Sequence, residues 1–105
     1  MNHIFPAELH ARLAAGEILQ LIDVREPWEF GTARIEGAKL IPMGEIAARV
    51  GELDSGAETI VICHHGGRSM QIAAFLDREG FSMVHNLTGG VDAWARSIDP
   101  SMPTY

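Results

Sequence analysis

The chain predicts an α/β domain, a central parallel sheet of about five strands with helices on both faces. Two observations carry that expectation. Strand-like and helix-like segments alternate at short spacing along the 105 residues. The strand-like segments are near-continuous apolar runs, the pattern of strands covered on both sides rather than half-exposed. No repeat, low-complexity tract or long linker divides the sequence, so residues 1–105 read as one domain, with 97–105 as a C-terminal tail.

Pro6 suits the first turn of a helix that carries Leu9 and Leu13 and that Gly16 ends. Ile18-Leu19-Gln20-Leu21-Ile22-Asp23-Val24 follows as a buried strand. Glu26-Pro27-Trp28-Glu29-Phe30 is a short helical turn with Pro27 at its start, and Trp28 and Phe30 are expected to pack it onto the core. Lys39-Leu40-Ile41-Pro42 is a short strand that its proline terminates. Ile46, Val50 and Leu53 mark a helix, and Asp54-Ser55-Gly56 a turn. Thr59-Ile60-Val61-Ile62 is the strongest strand signal, and Ile72, Phe75 and Leu76 fall on one face of the helix after it. Glu79-Gly80 closes that helix, Ser82 to Leu87 forms another strand, and Gly89-Gly90 turns into a last helix through Val91, Trp94, Ala95 and Ile98. Trp94 should seal that helix against the core. The prolines at 100 and 103 break further periodicity, which leaves Asp99–Tyr105 either folded back or mobile.

Composition excludes several function classes. Eight basic residues stand against 14 acidic ones, and Lys39 is the only lysine. Without a basic stripe, nucleic acid and anionic membrane surfaces lose their main attraction. A lone cysteine forms no internal disulfide, and Met1–Pro6 lacks the basic start and apolar run of a signal peptide. A cytoplasmic location is the resulting expectation.

The chemistry gathers at Cys63-His64-His65-Gly66-Gly67-Arg68-Ser69. The cysteine leaves a buried strand, enters a glycine turn and faces the N-terminus of a helix. Unpaired backbone N–H groups and the positive end of the helix dipole both favour a thiolate there. Such settings lower a thiol pKa by one to several units from about 8.5 and produce a nucleophile. In parallel α/β sheets ligands bind beyond the carboxyl ends of the strands, and Cys63 stands at such an end.

Four segments resemble, in order, those of single-domain rhodaneses, a family of sulfurtransferases. They are Asp23-Val24-Arg25 with Glu29-Phe30, Ile35-Glu36-Gly37-Ala38 with Ile41-Pro42, the loop Cys63 to Ser69, and Leu87-Thr88-Gly89-Gly90 with Trp94. The resemblance implies a rhodanese-like fold and a Cys63 persulfide. It also implies a loop of His64, His65, Gly66, Gly67, Arg68 and Ser69 around the transferred sulfur, with Gly66 and Gly67 at positive φ. Arg68 is expected to close the loop on its carbonyls or on a neighbouring carboxylate more than to hold substrate. Asp23 and Arg25 are supporting residues, expected as an ion pair that anchors the following turn. The donor would be thiosulfate, a polysulfide, or a small-molecule or protein persulfide. The acceptor would be a thiol, cyanide or a sulfur carrier, and neither cofactor nor metal is implied.

Three other readings compete. Cysteine phosphatases and arsenate reductases share the thiolate loop but place five residues between Cys and Arg, where this chain has four. A non-catalytic module of the same fold that binds a protein partner would have little need of Cys63, Gly67 and Arg68. A metal site from Cys63, His64 and His65 with His85 is disfavoured, because consecutive loop residues seldom direct side chains to one point. Two departures from the family pattern stand out. Arg34 replaces a usual histidine, at a position that serves the fold. His64 and His65 stand where many rhodaneses carry a basic residue. A nearby thiolate would favour their charged forms and give a switchable positive field; equally, both could be solvent-facing loop residues. His3 and His10 read as surface residues.

Overall fold

Five parallel strands form one sheet in the order β1-β5-β4-β2-β3, where β1 is Asn2–Ile4, β2 Gln20–Asp23, β3 Lys39–Leu40, β4 Glu58–Ile62 and β5 Met83–Leu87. The structure, a computed structural model, describes all residues from 1 to 105. The helices are α1 (Pro6–Ala14), α2 (Pro27–Thr32), α3 (Ile46–Arg49), α4 (Gly67–Arg78) and α5 (Gly90–Ser97). The α/β class and the helices on both faces are as the sequence predicts. No helix is long and apolar enough to cross a membrane.

The alternation of β4 explains the two cores. Ile60 and Ile62 join Ile4, Leu9, Leu21, Leu87, Val91 and Trp94 on the α1/α5 face. Val61 and Cys63 join Ile22, Val24, Ile46, Ile72, Ala73 and Leu76 on the α3/α4 face. Ile60, Val61 and Ile62 are all fully buried, which accounts for the unbroken apolar run. Each such side chain contributes about 1.5–3 kcal/mol by leaving water. Charge at any of these three positions would have no solvent to meet.

Register sets the site. Asp23 pairs with Ile62 and Val61 with Asn86, so β2, β4 and β5 end at one edge. Val24 N–H donates to Ile62 C=O at 2.9 Å, extending the pairing to the residue before Cys63. The residues that follow, Arg25, Cys63 and Gly89-Gly90, therefore emerge side by side.

The structure adds one strand and corrects three expectations. The edge strand β1 has no apolar alternation, with Asn2 and His3 exposed and only Ile4 buried, so periodicity could not reveal it. The strand expected from Ile18 begins at Gln20, and Ile18 is 95% exposed. The helix expected through Leu53 is one α-turn, α3, between 3₁₀ turns at Met43–Glu45 and Val50–Glu52. Gly44 and Gly51 fall in those turns, and glycine weakens a helix by about 1 kcal/mol relative to alanine. Trp28 is 64% exposed and does not pack α2 onto the core. It meets Tyr105 edge to face, with centroids 5.4 Å apart. Trp94, by contrast, is buried beneath α5 as expected.

Candidate active site

Cys63 follows β4 directly and is only 1% exposed. Gly66, at φ +107°, curls the chain into α4 and donates its N–H to Cys63 Sγ at 3.0 Å. A side chain there would be strained and would press within 3.3 Å of the Gly89 nitrogen. Gly67 does not share the expected positive φ; it is the first residue of α4. Ser69, fully buried one turn into α4, brings Oγ to 3.2 Å from Sγ and donates to Asn86 Oδ1. Asn86 on β5 had no signal in the sequence beyond its place in a strand.

The start of α5 holds the same loop from the other side. Val91 N–H donates to Cys63 C=O at 2.8 Å and Asp92 N–H to His64 C=O at 3.0 Å. Gly90, at φ +59°, permits this approach, since a Cβ there would lie 2.3 Å from the Cys63 carbonyl oxygen. Gly90→Ala must therefore move backbone. It should cost about 2–4 kcal/mol, measurable by urea denaturation, and a loss below about 1 kcal/mol would contradict this packing.

Arg68 pairs with a carboxylate through two nitrogens. Its Nη1 and Nη2 donate to Glu29 Oε1 and Oε2, both at 2.7 Å. Glu29 Oε1 also accepts the Glu26 N–H at 2.9 Å, closing the capping box of α2. The pair thus ties the first turn of α4 to α2. The Arg68 guanidinium, helped by the Glu26 amide and against the cost of burial, holds the Glu29 carboxyl down to about 2. A depressed folded pKa stabilises the protein above the ordinary value of 4.5, and that stability is lost as pH falls through about 2. Melting temperatures measured from neutral pH to pH about 2.5 should show a shallower acid decline in Glu29→Gln than in wild type. Parallel declines would contradict this role for Glu29.

Asp23 and Arg25 are both completely buried. Arg25 Nε and Nη2 donate to Asp23 at 2.9 and 2.7 Å, and its remaining N–H groups reach Ala33 C=O, Glu29 C=O and Tyr105 Oη. This cluster anchors α2 against β2, as an ion pair holding the following turn would.

The histidines divide. His64 is half-buried and its ring stacks on Tyr105 at 4.0 Å and 11°. Burial, and then the neighbouring His65, push its pKa down. The charged form expected beside a thiolate is not favoured there, because desolvation outweighs the pull of the Asp92 and Glu29 carboxylates. His65 is exposed, with Nδ1 3.9 Å from Asp92 Oδ2. Ligand atoms of His64, His65 and Asp92 lie within 4.8 Å of one another, yet Asp92 already accepts Arg96 Nε at 3.0 Å. His85 bonds Glu58 at 2.7 Å, at the first residue of β4, the strand end opposite Cys63. Arg34 lies over the Phe30 ring, 5.0 Å from its centroid. The tail folds back, and its Tyr105 joins the site.

The sequence model of the rhodanese-like domain matches residues 5–97. A protein named sulfurtransferase from Allochromatium vinosum is 38% identical over 96 residues, covering 91% of this chain and 90% of that protein. The Arabidopsis thaliana rhodanese-like/PpiC domain-containing protein 12, chloroplastic, is 40% identical over 105 residues. That match takes in 93% of this chain but only 35% of the plant protein. The crystal structure of a rhodanese-like domain protein from Staphylococcus aureus superposes with a TM-score of 0.86 at 28% identity, over 100% of this chain and 99% of that one. With the parallel sheet, the four-residue spacing from Cys63 to Arg68 and these matches in agreement, the chain belongs to the rhodanese-like domain family.

Proposed function

We propose that the protein is a sulfurtransferase in which Cys63 carries the sulfur as a persulfide. The Cys63 thiolate attacks the outer sulfur of thiosulfate, an S–S bond forms, and sulfite leaves with the electron pair of the broken bond. Cyanide or a thiolate then attacks the outer sulfur of the persulfide and restores the Cys63 thiolate. In the first case the product is thiocyanate. No proton or external electron enters the cyanide cycle. Covalent capture divides one transfer into two displacements.

The observation that carries this reading is the hydrogen bond from the Gly66 amide to Cys63 Sγ at the mouth of α4. An inward backbone N–H beside a helix N-terminus stabilises an anionic sulfur without a charged side chain. Phosphatase chemistry fits less well, because it needs an arginine free to grip a phosphoryl group and Arg68 is committed to Glu29. The same commitment, with a His64 held toward neutrality, leaves few cations for thiosulfate. Polysulfides and persulfides are favoured over thiosulfate as donors, with a thiol or sulfur carrier as acceptor.

Thiocyanate release with cyanide as acceptor, run beside a phosphomonoester assay, tests the proposal. Sulfur transfer with no phosphate release is expected. Thiosulfate should saturate the protein only at millimolar concentration, and saturation at low micromolar would overturn the account of its weak grip. Phosphate release without sulfur transfer would overturn the function.

A further inference from the structure

The segment after α5 is built into the site rather than trailing from it. Asp99 N–H donates to Trp94 C=O and Met102 N–H to Asp99 C=O, while Ser101 caps the Asp99 carboxylate. This turn reverses the chain, and Met102 packs on the α1/α5 core. Pro103, Thr104 and Tyr105 then run along Val91, Asp92 and Ala95 to His64, leaving no room for a water molecule between.

Tyr105 is held on three sides. Its Oη accepts from Arg25 Nη1 at 2.6 Å and donates to Glu29 Oε2 at 3.1 Å. Its ring lies flat on His64, the residue next to the nucleophile, and takes the exposed Trp28 on its edge. A phenol with both hydrogen-bonding roles satisfied and a stacked ring is a fixed wall. None of the molecule's cavities is lined by Cys63.

We propose that Tyr105 is a specificity-determining residue, a wall over His64 that closes the α5 side of the cysteine loop and admits small sulfur carriers in preference to bulky ones. Among polysulfide and persulfide donors the preferred class is accordingly the short inorganic polysulfide, with tripeptide persulfides discriminated against. The consequence for transfer rests on the sulfurtransferase reading; the closure itself does not. Arg25 and Glu29 keep Asp23 and Arg68 when Tyr105 is removed, so the effect of its loss is local.

Because Cys63 is the only cysteine, its alkylation reads the closure directly. Wild type, Tyr105→Phe and Tyr105→Ala would be labelled with iodoacetamide and with a pyrene maleimide. The ratio of bulky to small labelling rates should rise about tenfold in Tyr105→Ala. In Tyr105→Phe, which keeps the ring, it should stay within about twofold of wild type. The preference for glutathione persulfide over thiosulfate, as a ratio of kcat/KM values, should rise in the same variant. An unchanged labelling ratio in folded Tyr105→Ala would overturn the closure, whatever the transfer rates. Labelling that changes as expected in a protein that takes sulfur from no donor would uphold the closure and remove the sulfurtransferase reading.

Discussion

Cys63→Ser should abolish sulfur transfer, by at least about a thousandfold, while leaving the fold in place. The hydroxyl would sit where the thiol does, within reach of the Gly66 N–H and Ser69 Oγ. Its burial is therefore compensated and should cost no more than about 1–3 kcal/mol. Catalysis has no such substitute. An alcohol of ordinary pKa offers almost no anion at neutral pH, no persulfide can form on oxygen, and the chain has no second cysteine. Thiocyanate assays with circular dichroism as the fold control would check this. Residual activity in the serine variant above that bound would place the transferring group elsewhere.

Arg25→Ala should produce the largest loss of stability, about 3–5 kcal/mol. Asp23 would be left charged and without solvent, and the Ala33 and Glu29 carbonyls would each lose a donor. Against a total of about 5–15 kcal/mol, that loss leaves a protein partly unfolded at ambient temperature. Arg25→Lys should recover only a fraction, since an ammonium cannot supply the planar fork that binds Asp23 through two nitrogens. Urea denaturation of the three proteins measures both effects. A loss under about 1 kcal/mol in Arg25→Ala would contradict the view of this pair as the anchor of α2.

What could be read in advance follows from the range of the interactions. The run Ile60-Val61-Ile62, the glycine turn and the helix after Arg68 are local, so the position of Cys63 at a strand end was legible from residues within about ten of it. The demand of Arg68 for an acceptor was legible too. Its partner was not, because Glu29 lies 39 residues away among 14 acidic residues. Only the register that brings the ends of β2 and β4 together selects it. The same holds for Asn86, which joins Ser69 from the neighbouring strand, and for Tyr105, whose tail carries no periodicity at all. Exposed Trp28 misled for a related reason: an aromatic residue signals contact, and here its contact is Tyr105 instead of the core. His64 shows a competition that sequence cannot weigh, the cost of burial beneath a stacked ring against the pull of the Asp92 and Glu29 carboxylates.

The most direct test of the central claim is the intact mass of the reduced protein after incubation with thiosulfate or polysulfide, with and without cyanide. A gain of one sulfur atom on wild type, removed by cyanide as thiocyanate and missing from Cys63→Ala, is the predicted result. A folded protein with a free thiol that takes sulfur from neither donor would contradict it.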